Sequence, residues 1–134
     1  MAIKFLLDTN VCIYIIKQTM QSFEERIGKY IPGDIGISSI TLAELEFGVA
    51  KSERRGQNAA ALTQFISPLL ILPFDSVAAF HFGEIRLTLE RRGRLIEAMD
   101  LLIAAHARAV GATLVTNDRK AFRAIPELKV EFWS

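Results

Sequence analysis

Apolar and polar positions fall in short blocks along this chain. Ile3-Lys4-Phe5-Leu6-Leu7 is a mostly apolar run that ends abruptly in Asp8-Thr9-Asn10. Such a run, closed by polar turn residues, predicts a buried parallel strand leading into a helix. Val11 to Lys17 is apolar enough for a helix packed on a sheet, although its β-branched residues weaken helical preference. Gln18 to Tyr30 sets Phe23, Ile27 and Tyr30 at the spacing of an amphipathic helix, which Pro32-Gly33-Asp34 breaks. Ile35 to Ser38 predicts a short strand. Thr41-Leu42-Ala43-Glu44 has the T-x-x-E pattern of a capping box, so a helix is expected to open at Thr41, with Gly48 interrupting or ending it. Lys51 to Gly56 reads as a polar connector and Gln57 to Ile66 as a further helix. Leu69 to Leu72 predicts a strand, and a long helix runs from about Ser76 to Arg92, with Gly93 just past its end. Asp100 to Val110 is a strong helix, Ala112 to Thr116 a strand, Arg119 to Arg123 one helical turn and Lys129 to Phe132 a last strand.

Strands alternating with helices predict an α/β fold, a central mainly parallel sheet with helices on both faces. At 134 residues the chain reads as a single domain, residues 1–134. Its 51% hydrophobic share fits a covered sheet or a buried subunit interface. The net charge of +1 excludes a global attraction to polyanions, so any nucleic-acid contact must come from local patches. Cys12 is the only cysteine, which excludes intrachain disulfides and cysteine-based zinc cages. No apolar run approaches the roughly 18 residues of a membrane span, and the N-terminus lacks signal-peptide features. A cytoplasmic protein is the expectation. Neither a Walker-type phosphate loop nor a G-x-G-x-x-G stretch is present.

The carboxylates change the picture. Asp8 and Asp118 each follow an expected strand, Glu44 lies in the first turn of a helix entered after a strand, and Asp100 opens an apolar helix. In open parallel sheets ligands bind past the carboxyl ends of the strands, so all four could converge there. Each also has a plainer role: Asp8 as a helix cap, Glu44 in the capping box, Asp100 at the positive end of a helix dipole, Asp118 in a turn. Four carboxylates brought together repel one another, and such a cluster calls for a bound cation or shared protons. Oxygen-only ligands favour Mg²⁺ or Mn²⁺ over zinc. His81 and His106 read as packing or surface residues.

These residues carry a resemblance. Leu7-Asp8-Thr9-Asn10, the stretch Ser39 to Gly48, the stretch Asp100 to Ala107, Leu114-Val115-Thr116-Asn117-Asp118 with Phe122, and the terminal Glu131-Phe132-Trp133 together resemble the PIN domain family, and within it the VapC toxins of bacterial toxin–antitoxin pairs. The resemblance spans almost the whole chain. It implies a three-layer α/β/α fold, a Mg²⁺- or Mn²⁺-dependent endoribonuclease and inhibition by a cognate VapB-like antitoxin. Carried over by position, it assigns Asp8, Glu44, Asp100 and Asp118 to the acidic site, with Asp8, Asp100 and Asp118 holding metal and Glu44 a ligand or the group orienting water. Thr116 and Asn10 match its supporting polar residues. Two departures stand out. Glu97-Ala98-Met99 replaces the Gly or Pro common before the third acid, making Glu97 a possible extra acid, and Ala121 stands where an acid is frequent.

Positive charge is local: Arg86, Arg91, Arg92 and Arg94 form one stretch, Lys51, Arg54 and Arg55 a second, and Arg119 and Lys120 a third beside Asp118. Arg119 and Lys120 are the candidate phosphate contacts, since they flank the acids. The substrate implied by the resemblance is RNA, often a structured one such as tRNA. A PIN-like nuclease acting on DNA or in RNA processing without an antitoxin remains the alternative, and a non-catalytic binding module the third reading. Apolar residues Phe23, Ile27, Phe47 and Val49 lead to the expectation of a homodimer and of an antitoxin tail covering an apolar groove.

Overall fold

The structure, a computed structural model, describes residues 3–17 and 33–132; the helix expected over 18–30, with Phe23 and Ile27, lies outside the described residues, as does the side chain of Arg119. Within them the elements run β1 (Phe5–Leu7), α1 (Thr9–Lys17), β2 (Ile35–Ser38), α2 (Ser39–Lys51), α3 (Arg55–Ile66), β3 (Leu70–Leu72), α4 (Ser76–Arg91), α5 (Ala98–Val110), β4 (Thr113–Val115), α6 (Arg119–Arg123) and β5 (Val130–Glu131). The strands form one five-stranded sheet in the order β3-β2-β1-β4-β5. Every pairing is parallel, where a mainly parallel sheet was expected.

Successive strand residues point to opposite faces, and each face has its own core. Leu6 and Leu114 pack with Ile85 and Leu89 of α4 and with Ile103 and Ala104 of α5. Leu7 and Val115 pack with Val11 and Ile15 of α1, Leu45 of α2 and Phe65 of α3. Helices on both faces of one sheet make the three-layer α/β/α architecture, and explain why β1 and β4 are apolar on consecutive residues instead of alternating. The edge strand β3 is different: Leu70 and Ile71 are exposed.

The chain lays down β1, β2 and β3 outward in one direction, then returns to the other side of β1 for β4 and β5. Sequence order therefore reverses between β1 and β4. At such a reversal the connections leave in opposite directions and open a crevice at the carboxyl ends of the strands. Asp8 follows β1 there, and Thr116 follows β4.

Several expected boundaries move, each for a local reason. The second helix starts at Ser39, because Ser38 caps it by accepting the Ile40 N–H at 3.0 Å. Thr41 is thus an interior helical residue, and the Thr41–Glu44 capping box does not form. Gly48 does not stop that helix, which reaches Lys51. The next helix begins at Arg55, inside the stretch read as a connector, without a side-chain cap. Helix α5 begins at Ala98, two residues before Asp100, because Glu97 accepts the Asp100 N–H. Glu97 is therefore the helix cap, and its extra charge has a structural explanation.

Candidate active site

Asp8 is almost wholly buried, at 1% exposure. Its backbone N–H donates to Val115 O at 2.8 Å, continuing the β1–β4 ladder one residue past the strand. That places its carboxylate in the crevice. Both side-chain oxygens are engaged: Oδ1 accepts the Thr9 N–H and Oδ2 accepts the Thr116 hydroxyl, each at 2.8 Å. The Thr116 hydroxyl in turn accepts the Asp118 N–H at 3.1 Å. One buried threonine thereby joins the first acid to the loop carrying the fourth.

Glu44 is fixed from the other side. Thr9 Oγ1 lies 2.7 Å from Glu44 Oε1 and 3.1 Å from Thr41 Oγ1. A hydroxyl has a single hydrogen, and a carboxylate can only accept, so Thr9 donates to Glu44 and takes its second bond from the Thr41 hydroxyl. Thr9 and Thr41 are both buried. A chain of two hydroxyls thus holds the carboxylate of α2 against the start of α1. Neither threonine stands out in the sequence as a site residue; Thr41 is masked there by its apparent capping role, and Thr9 by its place beside an aspartate.

The electrostatics bring in the other acids. Burial pushes the Asp8 carboxyl above its ordinary range; hydrogen bonds from Thr116 and Thr9 pull it back, while the charges of Glu44 and Asp118 push it up again. Asp100 is pushed up to about 6, first by burial and then by the charges of Asp8, Glu97, Glu44 and Asp118. The charges of Glu44 and Asp118 thus act on both Asp8 and Asp100, and that of Asp8 acts on Asp100. Asp118 is exposed and also caps α6 through the Ala121 N–H at 3.1 Å, so its turn role and its place beside the other acids coexist. Asn10 is exposed and lines a cleft of about 910 Å³ together with Glu44, Asp100 and Glu97. Lys120 is exposed on α6, next to Asp118.

The donor set is oxygen only, and like-charged carboxylates that raise one another's pKa are relieved by a cation. Among the described residues no three of His, Cys, Asp or Glu stand close enough to hold a metal by themselves. The residues fit a hard ion that keeps part of its own water shell, which is the habit of Mg²⁺. They do not fit a closed zinc cage.

The histidines are structural. His106 is buried, its Nδ1 is 2.7 Å from Ser38 Oγ, and its ring meets Phe74 edge-on. The Ser38 hydroxyl also accepts the Ile40 N–H, so it ties His106 to the start of α2, and burial lowers the pKa of the imidazole. His81 accepts from Arg108 on the far end of α5.

The rest of the large cleft mixes apolar side chains with Lys17, Lys51, Ser52 and Asn58. Ile13, Ile16, Phe47 and Val49 line it; Phe47 is 65% exposed and Val49 half-buried. Among the described residues no helix is long and apolar enough to cross a membrane.

Known proteins share this sequence and fold. The chain is 45% identical over 130 residues to the protein named ribonuclease VapC2 of Rickettsia felis, covering 96% of this chain and 97% of that protein. It is 42% identical over 132 residues to the tRNA(fMet)-specific endonuclease VapC of Shigella flexneri, covering 98% and 99%. Among solved structures, DNA-bound VapBC from Salmonella typhimurium aligns with a TM-score of 0.93 at 41% identity, covering 98% of this chain and 99% of that one. VapBC2 from Rickettsia felis, bound to a promoter DNA fragment, aligns at 0.89 and 43%, covering 98% and 100%. Residues 5–128 match the PIN domain. With its parallel sheet, its crevice of carboxylates and these relatives, the chain belongs to the PIN domain family, among the VapC ribonucleases.

Proposed function

We propose that this protein is a divalent-metal-dependent endoribonuclease, the toxin of a VapBC-type pair, and that Mg²⁺ or Mn²⁺ is its ion. What supports this reading is the hydrogen-bond chain that joins three of the acids, Thr9 bonding both Asp8 and Glu44 and Thr116 bonding both Asp8 and the Asp118 backbone, beside an Asp100 that burial first and then the neighbouring acidic charges push up to about 6. The names of relatives at 45% and 42% identity support RNA, tRNA included, as the substrate. Asp8, Asp100 and Asp118 would hold the ion, directly or through water. Such an ion, when bound, lowers the pKa of water and neutralises charge developing on a phosphodiester.

The chain's own residues supply the rest. Asp8 is held rigidly by Thr9 and Thr116, so its oxygens need no reorganisation on binding. Glu44, oriented by Thr9, would serve as a further ligand or orient the attacking water. Lys120, exposed beside Asp118, would contact a substrate phosphate, the role that the sequence suggests for it together with Arg119. Asn10 at the mouth of the cleft is a polar contact for the ribose or base. Glu97 is the cap of α5 and tunes Asp100 by charge.

The cognate partner is a VapB-like antitoxin, supported by the VapBC complexes among the structural relatives. The cleft suits its tail: apolar Ile13, Phe47 and Val49 lie in the same cleft as Glu44 and Asp100. An arginine from the tail pairs bidentately with a carboxylate and excludes metal or substrate. A second copy of the chain is expected on α4, where Val77, Phe80 and Leu87 are exposed on neighbouring turns.

The test is RNA cleavage by purified protein with Mg²⁺ and with a chelator, for wild type, Asp8→Asn and Asp100→Asn. Cleavage is expected only in the wild type with metal. Full activity of both folded variants would overturn the assignment.

A further inference from the structure

The turn between α4 and α5 combines three features that a solvated helix end does not require. It is stiff. Gly93 adopts φ +67°, the Gly93 N–H donates to Glu90 O at 3.1 Å, and the Arg94 N–H donates to Leu89 O at 2.9 Å. This double closure is the Schellman arrangement, which glycine permits because it has no Cβ to clash. Arg92 ties the turn to α6 by donating to Ala124 O at 3.1 Å. The same turn holds Leu95 outward at 91% exposure, beside exposed Arg91 and Arg94. Beneath it lies a cavity of about 150 Å³ lined by Phe82, Leu89, Leu95 and Ile96, with Arg86 and Arg94 also in its wall. Arg86 is paired with Glu90 at 3.0 Å; Arg94 has no ion-pair partner among the described residues.

Size and charge together define what fits. A cavity of roughly 150 Å³ lined by Leu, Ile and Phe is the size that admits a single six-membered aromatic ring. A guanidinium beside it offers a planar fork for a phosphate. An aromatic ring attached to a phosphate is a nucleotide, and bases splayed out of single-stranded RNA are the ones that proteins read. The position is apt as well. Ala98 and Leu101 line this cavity, while Glu97, Met99 and Asp100 of the same helical turn line the cleft of the acids. Only the thickness of one helix, about 10 Å, separates the two.

We propose that this pocket receives one pyrimidine-sized base of the RNA, close to the phosphodiester that is cut, with Arg94 on the phosphate of that nucleotide. The inference rests on the ribonuclease reading above and adds to it a subsite for substrate selection. Leu95 forms the outer wall against which the flipped base packs, and Glu90 accepts a hydrogen bond from the base edge.

The experiment walks a single abasic residue through the nucleotides flanking the cut in a short single-stranded oligoribonucleotide, and measures kcat/KM at each position. Wild type is expected to lose about tenfold at one position, in the range of one base contact, and to lose similarly when a purine replaces a pyrimidine there. Ala98→Leu, which fills the cavity from an exposed helix position, should cut the intact RNA more slowly and be indifferent to the abasic residue. Arg94→Ala, on the exposed turn, should raise KM and reduce the salt dependence of binding by about 0.7, one single-strand phosphate contact. The same positional profile in Ala98→Leu as in wild type, or an unchanged KM and salt slope in Arg94→Ala, overturns the pocket. Asp8→Asn separates the two readings: an inactive Asp8→Asn with a flat abasic profile in wild type refutes the pocket alone, whereas an active Asp8→Asn refutes the site beneath it.

Discussion

Asp8 and Asp100 carry the same group into different surroundings. Asp8 has a hydrogen bond on each oxygen, whereas the Asp100 carboxylate is half-buried among like charges and is pushed up to about 6. Because its folded pKa lies above the ordinary aspartate value of 3.8, between those two values the folded chain holds a proton there that the unfolded chain has released. Its contribution to stability is present at acid pH and is lost as pH rises through about 6. Asp100→Asn should flatten that fall between about pH 4 and 6 in metal-free thermal melts, and raise apo stability at pH 7 by on the order of 1 kcal/mol. Cleavage at limiting metal should rise through about pH 6, since a protonated Asp100 is a poor ligand; a pH–rate profile checks this. Thr9→Val removes the donor to Glu44 and should lower kcat at least tenfold while costing about 1–2 kcal/mol. Thr9→Ser should restore most of both, as read by kinetics and denaturant melts. Asp8, Glu44, Asp100 and Asp118 could be picked from the chain because each follows or opens an element. Thr9 could not, since its value lies in a bond to a residue 35 positions away.

At the scale of elements, helix starts decide how the acids are presented. Ser38, and not Thr41, caps α2, which turns Thr41 inward to Thr9 and leaves the Glu44 carboxylate to that pair instead of to its own backbone. The T-x-x-E pattern does not reveal this, because a serine–serine pair three residues earlier offers a competing cap and the strand end selects it. Glu97 caps α5 while its charge raises Asp100. Glu97→Gln keeps an acceptor and removes the charge, so the pH midpoint of cleavage should move to lower pH with little change in melting temperature; Glu97→Ala should also cost about 0.5–1 kcal/mol. In β2, a Cβ on Gly36 would stand 2.9 Å from Leu70 O and 3.1 Å from a Leu72 methyl. Gly36→Ala should therefore loosen the β2–β3 pairing and cost roughly 1–3 kcal/mol, measurable by denaturant unfolding.

At the scale of the whole molecule, metal and partners act by mass action. Millimolar Mg²⁺ should raise the melting temperature of the wild type and raise it much less in Asp100→Asn, because only an ion bound by the folded acids shifts the equilibrium. Equal responses would remove Asp100 from the metal site. Phe80→Glu should give a monomer in light scattering without lowering the melting temperature of the isolated fold, since Phe80 is 66% exposed on α4. Alternating strands and helices were legible from the order of residues, because burial on both faces of a sheet leaves unbroken apolar runs such as Phe5–Leu7 and Leu114–Val115. The motifs around the acids were legible for the same local reason: each stands where a strand or helix changes into a turn. Strand order, by contrast, is a matter of long-range pairing. Only the return of β4 to the side of β1 brings Thr116 to Asp8 across 108 residues and opens the crevice. Hydroxyls that orient carboxylates, and a cavity formed where α4 turns into α5, come from side chains meeting across elements, and no linear spacing encodes such a meeting.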